Sequence, residues 1–579
     1  DRARTGGWVR WGDSGDPSAA ILSAFIDPAK HAGHGGDLKN LYNLYVYFWR
    51  WGLWKVFQHT SGKSESNPGI VSFITASSYI RGDAFVGMRE MLRRLCHEVW
   101  IIDLGGEGRG TRQDDNVFNI QTPVAICIAL REGKKDKDQP ATVRYASIQG
   151  TRDEKYAKLA AVKAFADLKW KTCPTGWHAP LRPAGTGPYF AWPLLADLIP
   201  WQQSGMKVGR LWPISADPEV LKRRWKKLTL ADPGDRAELF KNSPTGRKVG
   251  DTPLPLSGGD KRVIAVSKVA RGAPCGDIAR YAYRSFDRQY ILADSRVIDR
   301  AGPPLWLAQS DRQLYLTSLF TNPLAKGPGM VTCTDPPDLH MFRGSFGAKD
   351  AFPLYRDAAA KEPNILPGFL ALWGKKLKRD MTPESFAAYV YALTGHAGFV
   401  ERFWDELEDC QLRIPLTLDA KHYDTAVELG SRLLYLHTYG ERCKPKGKKA
   451  AEVPPGSARV KTAISDKPAE YPEDFSYDAD KRTLRVGTGT IVNVAPEVWS
   501  YEVSGLQVVK SWLGYRMKDR KGKKSSPLDA IHPERWTSEF TDELLKLLWI
   551  LEHTLAMQPD LTAVLDSVCD GPLLPAADL

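Results

Sequence analysis

The sequence has 579 residues, too many for one ordinary hydrophobic core, so roughly two to four domains are expected. Its 80 Lys and Arg against 68 Asp and Glu leave a formal charge of +12, which points to an anionic partner such as nucleic acid or an anionic surface and is silent about fold. Eight scattered Cys with no Cys-x-x-Cys pair argue against a disulfide framework or zinc ribbon, and no apolar run approaches the ~18 residues of a membrane span, so a soluble protein of a reducing, cytoplasmic compartment is expected.

In chain order, "LKNLYNLYVYFWRWGLWKVFQ" (Leu38 to Gln58) is apolar on nearly every side and too long for a strand, which predicts a buried helix. "GIVSFITA", following Asn67-Pro68, predicts a central strand. "DAFVGMREMLRRLCH" places Phe85, Met88, Leu92 and Leu95 at helical spacing, and "EVWIIDL" and "TPVAICIAL" read as strands of a sheet covered on both faces. Residues 38–130 therefore read helix, strand, helix, strand, loop, strand, a part of an α/β sheet. Charged "REGKKDKDQP" closes this unit near residue 145 as a solvated turn.

Thr151 followed by Glu154 is a capping-box signature for a helix carrying Leu159, Val162, Ala166 and Leu168. From about 171 to 380 short strand-like runs alternate with Pro and Gly. Residues 383–440 turn helical in "PESFAAYVYALTGHAGFVERFWDELE" and "YDTAVELGSRLLYLH". "KPKGKKAAEVPPGS" reads as a basic surface loop, and from Glu497 on the chain mixes "YEVSGLQVVKSWLGYR" with a helix through "DELLKLLWILEHTL".

Three motifs carry less than their letters suggest. "IIDLGGEGRG" has a strand, an acid and a Gly-rich loop, but Gly106, Gly108 and Gly110 alternate, and "TRQDDNVFNIQTP" has no helical period, so a dinucleotide fingerprint is not met. In "TDPPDLH", Asp335-Pro336-Pro337 matches the turn of amino-methyltransferases, but Asp338 stands where an aromatic should stack, which leaves a rigid turn. His31, His34 and Asp37 have superficial metal spacing among flexible glycines with no third strong ligand, and no metal is implied.

The ordered set "NLYNLYVYFWRWGLWKVF", "GIVSFITASSYIRG", "FVGMREMLRRLCHEVWIIDLGG" and "NVFNIQTPVAICIAL" resembles the second half of the catalytic domain of γ-class adenine-N6 DNA methyltransferases. "DRARTGGWV", "YRSFDRQYILADSRVIDR", "RIPL", "ELGSRLLYLH" and "YEVSGLQVVKSWLGYR" look more particularly like the single-polypeptide Type ISP restriction-modification enzymes. The resemblance implies an α/β fold: a partial Rossmann-like methyltransferase sheet over 1–145, an α+β target-recognition region over 146–380, and a helical specificity region over 381–579. It implies S-adenosylmethionine as methyl donor, double-stranded DNA as partner, and a bacterial defence role in the cytoplasm, with no membrane association.

The family's cofactor loop and Asn-Pro-Pro-Tyr turn are not found in these residues, so no catalytic residue is assigned. The expectation is a C-terminal portion of a longer enzyme whose N-terminal methyltransferase half, ATPase and nuclease lie elsewhere. Two other readings stay open: a stand-alone DNA-binding specificity subunit completed by a partner chain, and an intact enzyme with its cofactor at "DLGGEGRG".

By the same resemblance, Phe118 packs against an adenine swung out of the duplex, and Asn43, Tyr45 and Phe48 lie on the helix lining the cofactor or target pocket, although simple packing also accounts for these three. Among candidate DNA-binding residues, Arg109 lies within the Gly-rich loop and Arg112 follows it. Arg280, Arg284 and Arg288 interleave with aromatics in "ARYAYRSFDRQY", where a structural Arg–Asp pair within "RSFD" is an equal alternative. Arg223, Arg224 and Lys226 surround Trp225 in "LKRRWKK", a run that also suits a solvated helix face.

Overall fold

The computed structural model describes residues 6–12, 20–59, 67–107, 112, 114–342, 350–445, 447, 450–519 and 525–579. Two compact units divide the chain, Asp1–Thr186 and Gly187–Leu579. Both are mixed α/β. Among the described residues no helix is long and apolar enough to cross a membrane.

The first unit contains α1 (Leu44–Phe57), β1 (Gly69–Ala76), α2 (Val86–Leu95), β2 (Glu98–Gly105), β3 (Val124–Arg131), β4 (Thr142–Ser147), α3 (Arg152–Ala161) and β5 (Lys171–Thr172). Its five strands form one sheet in the order β1-β3-β2-β4-β5. β3 runs antiparallel to both β1 and β2, so those two point the same way, and β4 lies parallel to β2. The sheet thus runs past the expected break near 145, because β4 and β5 are hydrogen-bonded into it.

Helix α1 packs on the face of β1 that carries Val71, Phe73 and Thr75. Trp49 meets Phe73 edge-on at 5.0 Å and donates its indole N–H to Thr75 Oγ1 at 3.1 Å. Gly52 permits this approach, since a Cβ there would stand 3.1 Å from the Phe73 ring. Two expectations are corrected here. The helix starts at Leu44 and not at Leu38, because residues Gly35–Leu41 form a tighter 3-10 turn. Nor is it buried all round: Leu44, Phe48 and Trp51 form an exposed stripe at i, i+4 and i+7. β1, read as central, is an edge strand paired only with β3 among the described residues, with Ile70 60% and Ile74 51% exposed.

In α2 the helical spacing holds: Phe85, Met88, Leu92 and Leu95 are all buried. Arg89 and Arg93 are buried as well, and each answers backbone carbonyls rather than solvent. Arg89 donates to Tyr79, Gly82 and His178, and Arg93 to Pro174 and Pro180. α3 begins with the expected capping box, in which Thr151 Oγ1 accepts from Glu154 N at 3.4 Å and Thr151 N donates to the Glu154 carboxylate at 2.8 Å. Thr151→Ala is expected to destabilise the first unit by about 1 kcal/mol in urea unfolding, and a cost below about 0.5 kcal/mol would show that the cap contributes little.

The second unit holds β6 (Ile214–Ser215), α4 (Pro218–Leu230), β7 (Ile278–Arg284), β8 (Asp287–Leu292), β9 (Tyr315–Thr317), β10 (Val331–Cys333) and β11 (Ala351–Pro353). It continues with α5 (Pro383–Thr394), α6 (Ala420–His437), β12 (Arg459–Thr462), β13 (Phe475–Asp478), β14 (Thr483–Val486), β15 (Gly489–Val492) and α7 (Ser538–Asp570). These strands form small sheets ordered β6-β8-β7, β10-β9-β11 and β12-β15-β14-β13. One apolar cluster runs from Tyr189 to Leu574, so the residues on either side of the expected break at 380 share a core. α5 packs closely on α6, where a Cβ on Gly430 would fall 1.8 Å from the Ala388 carbonyl oxygen.

Candidate nucleic-acid interface

Phe118 sits on the segment between β2 and β3, and one turn of α3 holds that segment in place. Lys155, whose side chain is fully buried, binds the Asp114 carboxylate at 2.6 Å and the Asp115 carbonyl at 2.5 Å. Arg152 donates to the Asn116 carbonyl at 2.9 Å, and the Tyr156 hydroxyl donates to the Val117 carbonyl at 2.6 Å. Asn116 is itself buried; its amide donates to the carbonyls of Gly106 and Thr122, and its side-chain oxygen accepts from Phe118 N at 2.9 Å. Val117 turns inward into a small apolar cluster with Leu104 and Leu159 of α3, and Phe118 turns outward, 44% exposed. A bare ring on a well-tethered loop loses little conformational freedom when it meets a flat ligand.

Sequence reasoning did not single out Asn116, Arg152 or Lys155. The signal was present in the acids just before Phe118 and the cations in the first turn of a capped helix.

Of the three pocket candidates, Asn43 precedes α1 in extended conformation, and its carbonyl accepts from Val46 and Tyr47. Tyr45 is largely packed, stacked on Phe85 with ring centres 6.4 Å apart, and burial raises its hydroxyl pKa against the opposing hydrogen bond to Ser78. Phe48 projects outward, 58% exposed.

The arginine candidates are mostly committed within the fold. Arg224 is buried and donates to the carbonyls of Trp212, Ile214 and Ile531, so it is a structural arginine. Arg223 binds Glu534 and the His532 carbonyl. The Arg–Asp pair expected within "RSFD" does not form: Asp287 lies 2.9 Å from Arg516, and the three arginines find acids elsewhere in the unit. Arg284 pairs with Asp338 at 2.8 Å, Arg288 with Glu441 at 2.6 Å and Arg280 with Glu543 at 3.1 Å.

Their aromatic neighbours serve the same end: the guanidiniums of Arg280, Arg284 and Arg288 lie over the rings of Tyr290, Tyr283 and Tyr439. These side chains tie β7 and β8 to the rest of the unit, which leaves them poorly placed to reach a phosphate. Lys226, on the outer face of α4, is exposed, with no ion pair among the described residues. Arg112 is half-buried, and Arg109 lies outside the described residues.

The Asp-Pro-Pro turn is built into the core. Asp338 accepts from the Tyr281 hydroxyl, from Arg284 and from His340 N, and burial pushes the Asp335 carboxyl up to about 6. Gly105 and Gly106 both take positive φ, yet the space they leave is filled by their own loop. A Cβ at 105 would meet Asp114, and one at 106 would meet Asn116, each within 2.5 Å.

A family model described as the Type ISP C-terminal specificity domain matches residues 197–547. Comparison with curated proteins gives no match. Among solved structures the chain is similar to the DrdV–DNA complex, at 17% identity over 91% of this chain and 52% of that one, with a TM-score of 0.62. It is similar also to the ATP-dependent Type ISP restriction-modification enzyme LlaBIII bound to DNA, at 16% identity over 96% of this chain and 35% of that one, with a TM-score of 0.63. A nuclease-deletion mutant of the Type ISP enzyme LlaGI in complex with a DNA substrate mimic gives 16% identity over 93% of this chain and 42% of that one, with a TM-score of 0.59. At such identities the likeness is one of fold, and the chain spans between 35% and 52% of these structures. With the family model matching more than half of its length, the chain belongs to the Type ISP C-terminal specificity domain family.

Proposed function

We propose that this chain is the DNA-recognition portion of a restriction-modification enzyme and serves site-specific adenine-N6 methylation. The observation that carries the reading is the specificity-domain match over 197–547, which falls wholly within the Gly187–Leu579 unit. The three structural relatives are complexes with DNA or a DNA mimic, and the net charge of +12 suits the same partner.

In this reading the first unit is the second half of a Rossmann-like methyltransferase sheet. Support comes from β1, whose outer edge is unpaired among the described residues and whose Ile70 and Ile74 stand exposed. An apolar edge strand of this kind is a template for another strand. The N-terminal methyltransferase half would add there, covering Leu44, Phe48 and Trp51, and S-adenosylmethionine would be bound by that half. ATPase and nuclease modules would complete the parent enzyme. Phe118 would receive the face of the extruded adenine, and no bond-making step falls to this chain.

The test is selection of bound duplexes from a randomised pool by the chain. Enrichment of one sequence, with affinity that falls steeply as salt rises, is the expected result. Retention of DNA with no sequence enriched would overturn the specificity role.

A further inference from the structure

The basic side chains picked out by sequence are largely spent on internal pairs, but a second group of cations is not. Residues 241–272 hold Lys241, Arg247, Lys248, Lys261, Arg262, Lys268 and Arg271 against only Asp251 and Asp260. Apart from the short 3-10 turn Val266–Lys268, this stretch contains no helix or strand. Long irregular segments that are nevertheless ordered are commonly functional.

Two buried arginines and one aspartate order it. Arg210 pairs with Asp299 at 2.8 Å and donates to the carbonyls of Phe240 at 3.1 Å, Lys241 at 2.9 Å and Arg247. Asp299 also accepts from Arg247 N at 2.9 Å, and it fits only because residues 209 and 246 are glycines: a Cβ at either would fall within 2.2 Å of its carboxylate. At the other end, Arg236 donates to the carbonyls of Thr229, Ala231, Val266 and Val269. The segment is thereby fastened to the C-terminal turn of α4, where Trp225 also donates to the Ala273 carbonyl at 3.1 Å.

Of the seven cations, Arg271 faces Asp232, while Arg262 and Arg247 donate to the carbonyls of Thr252 and Ser295. Lys241, Lys248, Lys261 and Lys268 are exposed, and their ammonium groups have no partner among the described residues. Lys248 and Lys268 flank the hydrogen bond from Ser267 N to the Val249 carbonyl, 3.0 Å, which brings their backbones together. Lys226 and Lys227, exposed on the adjoining α4, extend the same charge.

We infer that residues 241–272 form a DNA-backbone clamp, a braced loop whose four free lysines follow the phosphates of a duplex. The inference rests on the DNA-recognition reading above and assigns it a surface. Lysines are point charges that tolerate varied phosphate geometry, which suits positioning rather than base reading. Bracing by Arg210 and Arg236 means that the loop needs little ordering on contact.

The test uses the whole chain and a mixed-sequence duplex of about 30 bp, with affinity measured across a salt series. Converting Lys241, Lys248, Lys261 and Lys268 together to Ala is expected to weaken binding on the order of 10- to 100-fold at low salt and to lower the salt slope by about 3 to 4. Converting the same four to Arg should restore the slope. Ala at exposed Lys361, Lys375, Lys421 and Lys461 should leave it within about 1 of the unaltered chain. An unchanged slope in the loop variant, with the unaltered chain binding well, would overturn the clamp while leaving DNA recognition standing. Failure of the unaltered chain to bind any duplex would overturn both. Lysine-dependent binding to phosphatidylserine vesicles in preference to the duplex would assign the loop to a membrane surface and overturn the clamp.

Discussion

Asp338→Ala is expected to destabilise the Gly187–Leu579 unit by about 3–5 kcal/mol in urea unfolding, the range for removing one member of a buried ion pair. The carboxylate accepts from Arg284 at 2.8 Å, from His340 N at 2.8 Å and from the buried Tyr281 hydroxyl. Without it, the Arg284 guanidinium keeps the Tyr283 carbonyl and the rings of Tyr283 and Tyr515, but no counter-charge is shown for it among the described residues. The turn is also threaded between two neighbours: Asp338 N donates to the Ala282 carbonyl at 2.9 Å, and Leu339 N to that of Met206 at 2.8 Å. Gly205 lies against the same turn, close enough that a Cβ would stand 2.5 Å from the Asp338 carbonyl oxygen.

Two companion variants separate charge from packing. Asp338→Asn keeps an acceptor but loses the charge, so it should fall between Ala and the parent. Pairing Asp338→Ala with Arg284→Met should recover part of the loss, because removing both partners leaves no stranded cation. A loss under about 1 kcal/mol for Asp338→Ala would show that water or a neighbour takes over the contact.

This network also marks where the sequence could be read and where it could not. The period of Phe85, Met88, Leu92 and Leu95 reports burial because apolar side chains on one helix face have a single destination. The same period says nothing of Arg89 and Arg93, whose burial depends on carbonyls some 80 residues away in sequence, at His178 and Pro174. Likewise "RSFD" shows an Arg and an Asp, but Arg284 chose Asp338 and Asp287 lies 2.9 Å from Arg516. Charge pairing across a fold is a property of tertiary placement, which local pattern does not encode.

β1 failed in the opposite direction: its composition reads as a central strand, yet among the described residues it pairs with β3 alone, and composition does not say how many neighbours a strand has. Phe118 is singled out by the resemblance alone. Nothing in "DDNVFNIQ" separates its ring from that of a core residue, and the outward turn follows from Asn116 and Val117 taking the interior.

Phe118→Ala, made in the complete enzyme, is expected to slow methylation by roughly 10- to 100-fold, the equivalent of about 1–3 kcal/mol of base stacking. An extruded adenine loses a few kcal/mol of pairing and stacking, and an aromatic face returns much of it. Stability should change little compared with loss of a core ring, since Phe118 is 44% exposed. That contrast makes the experiment decisive, because a rim residue of the core would lose stability and keep its rate. Phe118→Trp should retain most of the activity through a larger stacking face, and Phe118→Leu should behave like Ala if stacking, rather than bulk, is what counts. Lys155→Met provides the matching test of placement. It removes the cation that holds Asp114 and the Asp115 carbonyl, so the ring remains but its tether loosens, and the rate should fall even though no group that meets the base has changed. An unchanged single-turnover rate in Phe118→Ala would remove the ring from the base-holding role and leave the loop's tight bracing without a purpose in recognition.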